Sequence, residues 1–203
     1  ISGTTGVMAD AVTRGRLSFN AAATYTFTLQ GKSTSASTVT ATITSTSDVT
    51  SIKDAINAVS GSTGITAALT TDKSGINIVQ EEGYDVIVGD ISGGTAFLQS
   101  MDRDETLDGN QRTLLSGGND SNALLGQVTL SSHQAFTITP GVSTNHFSAN
   151  ANEQSSTISN IASVSLVTKT GATNSLAVID GALAMISEIR SSMGAANNRL
   201  KST

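Results

Sequence analysis

Residues 170–203 read TGATNSLAVIDGALAMISEIRSSMGAANNRLKST, the one long stretch of the chain with a helical pattern of apolar residues. Two series of positions, each repeating every seven residues, interlock so that the spacing alternates between three and four. One series is Leu176, Leu183, Arg190 and Asn197, and the other is Ile179, Ile186, Met193 and Leu200. The pattern is typical of a coiled-coil seam and predicts one long amphipathic helix with Thr170 as its N-cap residue.

A second line of apolar residues runs beside this seam: Val178, Ala182, Met185, Ile189 and Ala196. The combined apolar surface is wider than a contact with one partner helix needs, so we expect the helix to pack against more than one neighbour. The residues predicted to pack against those neighbours are Leu176, Ile179, Leu183, Ile186, Ile189, Arg190, Met193 and Leu200.

The same stretch resembles a known family. The residues that carry the resemblance are Ile179-Asp180, Arg190, Met193-Gly194-Ala195 and Asn198-Arg199-Leu200. Together they are similar to the C-terminal core helix of bacterial flagellins. Met193 stands where that family usually has Leu, and Asn197 where it usually has Gln. The alternative is an unrelated amphipathic helix that tolerates two glycines.

The resemblance to flagellins implies a structural subunit of the bacterial flagellar filament, self-assembling through helices from both chain ends while its inserts face solvent. It implies a secreted, extracellular protein that serves motility and whose partners are other flagellin subunits in a homopolymer. Filament cap and junction proteins are further expected partners. So is the host innate immune receptor for flagellin, which reads the helical core, here residues 186–199.

An internal repeat links the start of the chain to its middle. Residues 1–9 read ISGTTGVMA, and residues 59–67 read VSGSTGITA. After one gap the likeness continues, with residues 16–19 matching residues 75–78. We therefore expect the chain to open in the second half of a unit whose complete copy spans about residues 22–91, and to be a fragment of a longer protein.

The complete copy predicts the order β-β-α-β-β. Alternation marks two strands, whose buried series are Tyr25, Phe27, Leu29 and Val39, Ala41, Ile43. Asp48 is expected to cap a short helix that ends at Gly61. The predicted inner face of that helix is Val49, Ile52, Ile56 and Val59. Further strands are predicted over residues 65–69, 76–79 and 86–88. This order resembles the repeated insert module of flagellins and of related hook-filament proteins.

The rest of the chain has weaker patterns. Residues 92–122 are rich in turn residues and charge and are interpreted as loops, whereas residues 125–141 predict two strands joined at Ser131 and Ser132. Residues 143–155 are expected to be irregular, and residues 158–167 to form a strand leading to the long helix. The predicted fold class is α+β, in four segments: a truncated repeat over 1–20, the complete repeat over 21–94, a variable β-rich part over 95–165 and the helical core over 166–203.

Composition limits the function classes. The 203 residues carry a net charge of -5 without a basic cluster, which argues against nucleic acid and anionic membranes as partners. No stretch approaches the 18 or so continuous apolar residues of a membrane span. Charged residues make up 13% and aromatic residues 3%, so the core must be built from Ala, Val, Ile and Leu. The absence of cysteine removes disulfides and a thiol nucleophile.

Candidate chemistry is sparse. Residues 104–109, DETLDG, fit the opening of a calcium loop, but Leu115 stands where a bidentate Glu is needed, so a solvated acidic turn is the preferred interpretation. His133 and His146 lack metal-ligand spacing. No cofactor, metal or catalytic site is predicted, and we expect no enzyme. The alternatives to a filament subunit are a hook-filament junction protein and a surface-exposed adhesin module that binds glycans or host surfaces.

Overall fold

The computed structural model describes residues 5–132, 134–139, 154–157, 159, 165–167 and 169–201. The chain divides into two compact units. The first, the β unit, is Asp10–Thr129, and the second, the helical unit, combines Ile1–Ala9 with Leu130–Thr203. Many strands and one long helix confirm the predicted α+β class.

The strands form two main sheets. In chain order they are β1 (Met8–Phe19), β2 (Thr24–Gln30), β3 (Ser37–Thr42), β4 (Ile65–Leu69), β5 (Gly75–Gln80), β6 (Val86–Ser92), β7 (Thr95–Met101), β8 (Leu107–Leu115), β9 (Asn122–Leu124), β10 (Gln127–Ser131), β11 (Thr137–Ile138) and β12 (Gln154–Ser155). The larger sheet has the order β4-β5-β1-β7-β8, and β10 also pairs with β1. The smaller sheet has the order β3-β2-β6-β9.

The first strand lies in the middle of the larger sheet. Leu17 of β1 is opposite Ile76 of β5 on one side and opposite Leu98 of β7 on the other, and both pairings are antiparallel. All three side chains are buried. The predicted alternation of the second strand is confirmed, because Tyr25 and Phe27 of β2 are fully buried while the threonines between them face outward.

One apolar core is shared by the two sheets. It gathers side chains of both sheets and of the helix that follows β3. The rings of Phe19 and Tyr25 touch at a centroid distance of 4.6 Å and are tilted by 58°. Aliphatic residues, mainly Ile, Leu and Val, fill most of this space, as expected from a chain with few aromatic residues.

The short helix of the repeat is confirmed, with a different end from the one predicted. It is α1 (Thr50–Ala58), which buries Ile52 and Ile56 and packs against β3 and β4. The predicted N-cap residue, Asp48, is wrong by one position, because Val49 is the N-cap residue. The Asp48 carboxylate still accepts a hydrogen bond from the Thr50 backbone N–H at 3.0 Å. A further turn, α2 (Ser60–Thr63), follows directly.

Gly61 does not end the helix, because it lies inside α2. The residue that terminates the helical segment is Gly64, whose φ of 70° is left-handed and whose N–H bonds to Ser60 O at 2.7 Å. A left-handed residue at this position is the common way to end a helix, and glycine adopts it without a steric cost.

The predictions for the middle of the chain are only partly confirmed. Residues 92–122 were expected to be loops but contain β7 and β8, which pair along most of their length. Both strands predicted over residues 125–141 are present as β10 and β11. Among the described residues, however, β10 pairs with β1 and β11 pairs with β12 rather than with each other. Gln154–Ser155, expected to be irregular, is a short strand.

The helical unit contains the β11–β12 pair and the long helix α3 (Lys169–Lys201). The long helix is confirmed, but Thr170 lies inside it rather than at its N-cap. Six of the ten residues 158–167, predicted to form a strand, lie outside the described residues, and residues 159 and 165–167 are not in a strand. The four segments with boundaries at residues 20, 94 and 165 stay a prediction about repeat structure.

Candidate subunit interface

The long helix α3 exposes the apolar residues that its sequence pattern lines up. Its 33 residues span about 50 Å at 1.5 Å per residue. Leu183 is 56% exposed and Ile186 is 51% exposed, although each is an aliphatic side chain of the predicted seam. The other exposed large apolar side chains of the helix are Leu176, Ile179, Met185, Ile189, Met193 and Leu200.

These side chains lie on one broad face, the apolar face of α3. Successive residues of an α-helix are rotated by about 100°, so positions three, four and seven apart fall near one another. Ser191 is five residues beyond Ile186 and therefore lies about 140° away from it around the axis. The polar line on that other side consists of Asp180, Ser187, Ser191 and Asn198.

The two ends of α3 are stabilised locally. The Ser175 hydroxyl, 3% exposed, lies 2.6 Å from Gly171 O and 3.2 Å from Ser165 O. At the other end Arg199 and Lys201 lie in the last turn, where positive charge complements the helix dipole. The sequence analysis did not predict a role for Ser175. The signal that could have identified it is a serine near the start of a helix, where its hydroxyl can donate a hydrogen bond to a backbone carbonyl.

The structure brings all eight predicted packing residues onto this one helix. Seven of them are large apolar residues, and the eighth, Arg190, is exposed as well. Contiguous apolar surface of this extent marks an interaction site on a soluble protein. Their role at a subunit contact stays a prediction.

The geometry of residues 104–109, the predicted opening of a calcium loop, does not support a cation site. The Glu105 carboxylate accepts a hydrogen bond from Arg14 at 3.3 Å, and Asp108 accepts the Asn110 backbone N–H at 2.9 Å. Leu115, at the twelfth position, belongs to β8. Among the described residues no three His, Cys, Asp or Glu side chains cluster as metal ligands. His133 and His146 lie outside the described residues.

In the described part of the chain, the side chains for which a pKa shift is resolved lie at turns of the β unit. Hydrogen bonds from the hydroxyls of Ser74 and Thr70 hold the pKa of Asp72 at about 2. The hydroxyl and backbone N–H of Thr50 lower the pKa of Asp48, and Glu82 raises the pKa of Lys32. Each of these groups supports a turn or an exposed ion pair, so none indicates catalysis.

The aromatic side chains of the β unit do not form a binding platform. Tyr25 and Phe27 are fully buried, whereas Tyr84 is exposed. A glycan-binding adhesin would present several exposed rings together. In the described part of the chain, no helix is long and apolar enough to cross a membrane.

Comparisons with known proteins point to one family. Residues 26–81 match the family described as the flagellin hook IN motif, and they run from within β2 through α1 to the end of β5. The chain is also 30% identical over 158 residues to the B-type flagellin of Pseudomonas aeruginosa, covering 75% of this chain and 32% of that relative. The chain thus spans about a third of the relative's length. An insert motif of flagellins and similarity to a flagellin along three quarters of this chain confirm its resemblance to the flagellin family.

Proposed function

We propose that this chain is a segment of a flagellar filament subunit that assembles through the apolar face of α3. The observation that carries the proposal is the exposure of the apolar residues along a helix of 33 residues. The face is too wide for one partner helix, which favours contacts within the subunit and with its neighbours.

The energy available on this face fits an assembly role. Burying one Leu or Ile side chain fully contributes roughly 1.5–3 kcal/mol. Leu176, Ile179, Leu183, Ile186 and Ile189 all lie on the exposed face. Because these side chains are already about half buried, covering all five in a filament contributes roughly 4–8 kcal/mol. This is comparable to the lower part of the about 4–15 kcal/mol that the loss of translational and rotational freedom costs.

The β unit takes the opposite role in this proposal. Its core is closed, so it needs no partner to bury its apolar residues, and its strands carry threonine and serine on their outer faces. We therefore place it on the solvent side of an extracellular filament that serves motility. Other flagellin subunits are the proposed partners, with cap and junction proteins and the innate immune receptor for flagellin as further ones.

Cysteine labelling tests the proposal, because the chain has no native cysteine. In a full-length flagellin that carries this segment, Ile186→Cys is introduced into α3, and Thr38→Cys into β3 as the matched control. Both positions are exposed here. A maleimide should label both in monomers, but only Thr38→Cys in filaments. Equal labelling rates at Ile186→Cys in monomers and filaments would refute the proposed interface.

A further inference from the structure

The edge strands of the two sheets differ in whether their outer backbone groups are hydrogen-bonded. On one side of the β unit, α1 covers the edge strands β3 and β4. The Ser51 hydroxyl donates to Thr42 O at 2.7 Å, and the Asn57 side-chain amide bonds to both Ala67 N and Ala67 O, at 2.8 Å and 2.9 Å. Asn57 thereby takes the place of a neighbouring strand. The backbone groups of Thr42 and Ala67 at these two edges are therefore already hydrogen-bonded.

On the other side the edges are β9 and β8. The first has only three residues, too short to template a partner strand. The second has nine, and none of the described strands pairs with its outer side. Leu115 donates its backbone N–H to Asn119 O at 2.8 Å, away from β7. Because an antiparallel ladder alternates, Thr113 and Gln111 also direct their backbone groups away from β7.

Two features interrupt this exposed edge. The register with β7 shifts so that three residues of β8, residues 108–110, lie opposite the single residue Ser100. Gly109 within this bulge has a φ of 80°, and the Asn110 N–H is bonded to the Asp108 side chain. Bulges bend a strand and increase its twist, which makes regular pairing at the edge difficult.

The second feature is the exposed Arg112 between the two open residues. If a second copy of β8 pairs antiparallel so that Gln111 of each copy meets Thr113 of the other, the two Arg112 side chains stand directly opposite. Like charges in that position are destabilising. The register that would place Asp108 opposite Arg112 runs through the bulge, where a regular ladder cannot form.

We propose that the Asp108–Asn110 bulge and Arg112 prevent the β8 edge from pairing with a second copy of this chain. The outer edge of β8 would otherwise be an interaction surface for an identical strand. The inference concerns the β unit alone and does not depend on the role proposed for α3. It accounts for a nine-residue edge strand whose outer side pairs with none of the described strands.

The test removes both features in the full chain. Deletion of Gly109 and Asn110 leaves Asp108 opposite Ser100 and restores a continuous ladder, and Arg112→Thr removes the charge. Backbone amide exchange is followed by NMR at Gln111 and Thr113 over a range of protein concentrations, together with the mass in solution from sedimentation. We expect the two amides of the variant to gain protection with concentration as the mass rises toward that of a dimer.

The amides of Gln111 and Thr113 also distinguish pairing through β8 from association through α3, because association through α3 would leave them unprotected. The wild type and Arg112→Lys, which keeps the charge, should show no dependence of these two amides on concentration. If the deletion prevents folding, Asp108→Thr with Arg112→Thr keeps the chain length and should show the same effect more weakly. A folded variant without added protection, or a wild type that already shows it, would overturn the proposal.

Discussion

The two helices α1 and α3 have similar kinds of apolar pattern and opposite surroundings. In α1, nine residues long, Ile52 and Ile56 are fully buried between β3 and β4. In α3, 33 residues long, Leu183 and Ile186 are about half exposed. Periodicity therefore identifies which face of a helix is apolar, but it does not say whether that face is covered within the same unit.

The contrast extends to the units themselves. The β unit has a closed core to which both sheets and α1 contribute, whereas α3 leaves its apolar face open. A unit with a closed core is stabilised by its own burial, while an open face is stabilised by what docks on it. Mutations in the two regions should accordingly change different properties, stability in one and assembly in the other.

The largest expected effect is loss of assembly on charging the apolar face of α3. In a full-length flagellin that carries this segment, Leu183→Asp or Ile186→Asp should abolish filaments, because an unpaired carboxylate would be buried at the contact. Electron microscopy and pelleting of polymerised protein measure this directly. In the isolated chain, amide exchange from Met193 to the end of the helix should be fast, since no neighbour protects it.

Two control variants sharpen this prediction. Ser191→Asp adds the same charge about 140° away from Ile186, on the polar line of α3, and should still assemble. Glu188→Ala removes a charge from an exposed position of the same helix and should assemble almost normally. Filaments from Ile186→Asp, combined with strong exchange protection after Met193 in a proven monomer, would contradict an assembly role for this face.

The next largest expected effect is the difference in free energy of unfolding between the same Ile→Ala truncation in α1 and in α3. Ile56→Ala in α1 should lower the free energy of unfolding of the β unit by about 2–5 kcal/mol, because it leaves a cavity in a fully buried site. Ile186→Ala in α3 removes the same atoms from an exposed site and should change the stability of the monomer by no more than about 0.5 kcal/mol. Urea unfolding of both variants gives the comparison, and equal costs would mean that the two faces are not differently covered.

The sequence predicted the strongly patterned elements well. The boundaries of β4 agree with the prediction, because its residues are bracketed by clear turn residues. In contrast β8 was missed, since its residues LDGNQRTLL contain a bulge and only Leu114 is buried. An edge strand with one buried residue has no alternation to recognise, and its pairing with β7 depends on contacts distant in sequence.

The repeat is visible in the backbone where its sequence is conserved between the copies. Gly6 and Gly64 occupy matching positions, with φ values of 67° and 70°. Farther along, the copies differ, since residues 65–80 form β4, a turn and β5, whereas Met8–Phe19 is one continuous strand. The similarity between the two copies therefore extends to the left-handed glycine, Gly6 or Gly64. It did not indicate that the first copy would lie at the centre of the larger sheet.

For the candidate interface, the sequence supplied the residues and the structure supplied their exposure. All eight predicted packing residues lie on α3, as the periodicity required. The position of the helix end was less predictable, because Thr170 has the residue type of an N-cap but lies inside the helix. Propensity at one position is easily overridden by neighbouring contacts, so such boundaries are uncertain by a residue or two.

A smaller effect distinguishes the units by their response to acid. The pKa of Asp72 is lowered from 3.8 to about 2 by its hydrogen bonds to Ser74 and Thr70 in the turn between β4 and β5. Since the folded pKa lies below the unfolded one, the stabilisation is complete above pH 3.8 and is lost as the pH falls through about 2. Asp72→Asn should therefore reduce the fall in the urea midpoint over that range.

The matched control for this titration is Asp180→Asn, which removes an exposed carboxylate from α3. It should leave the acid dependence of the β unit as in the wild type, because Asp180 is not part of that unit. An unchanged acid profile in Asp72→Asn would mean that the turn hydrogen bonds do not favour the charged carboxylate. An altered profile in Asp180→Asn would mean that the two units do not respond separately.

The smallest expected effect is that of calcium on the acidic turn between β7 and β8. Glu105 is engaged by Arg14 at 3.3 Å, Asp108 holds the Asn110 N–H, and Leu115 offers no carboxylate at the twelfth position. A cation would have to displace the Arg14 guanidinium and would still lack the bidentate ligand that completes such a loop. Melting temperatures of the β unit in millimolar calcium and in chelator should therefore agree.

Binding at a hundredfold excess over Kd would add about 2.7 kcal/mol, a shift of roughly 10 °C for a unit of this size. A rise of that order, lost in Glu105→Gln, would show that the carboxylates of this turn can exchange Arg14 for a metal and that the β unit, unlike α3, is stabilised by a ligand.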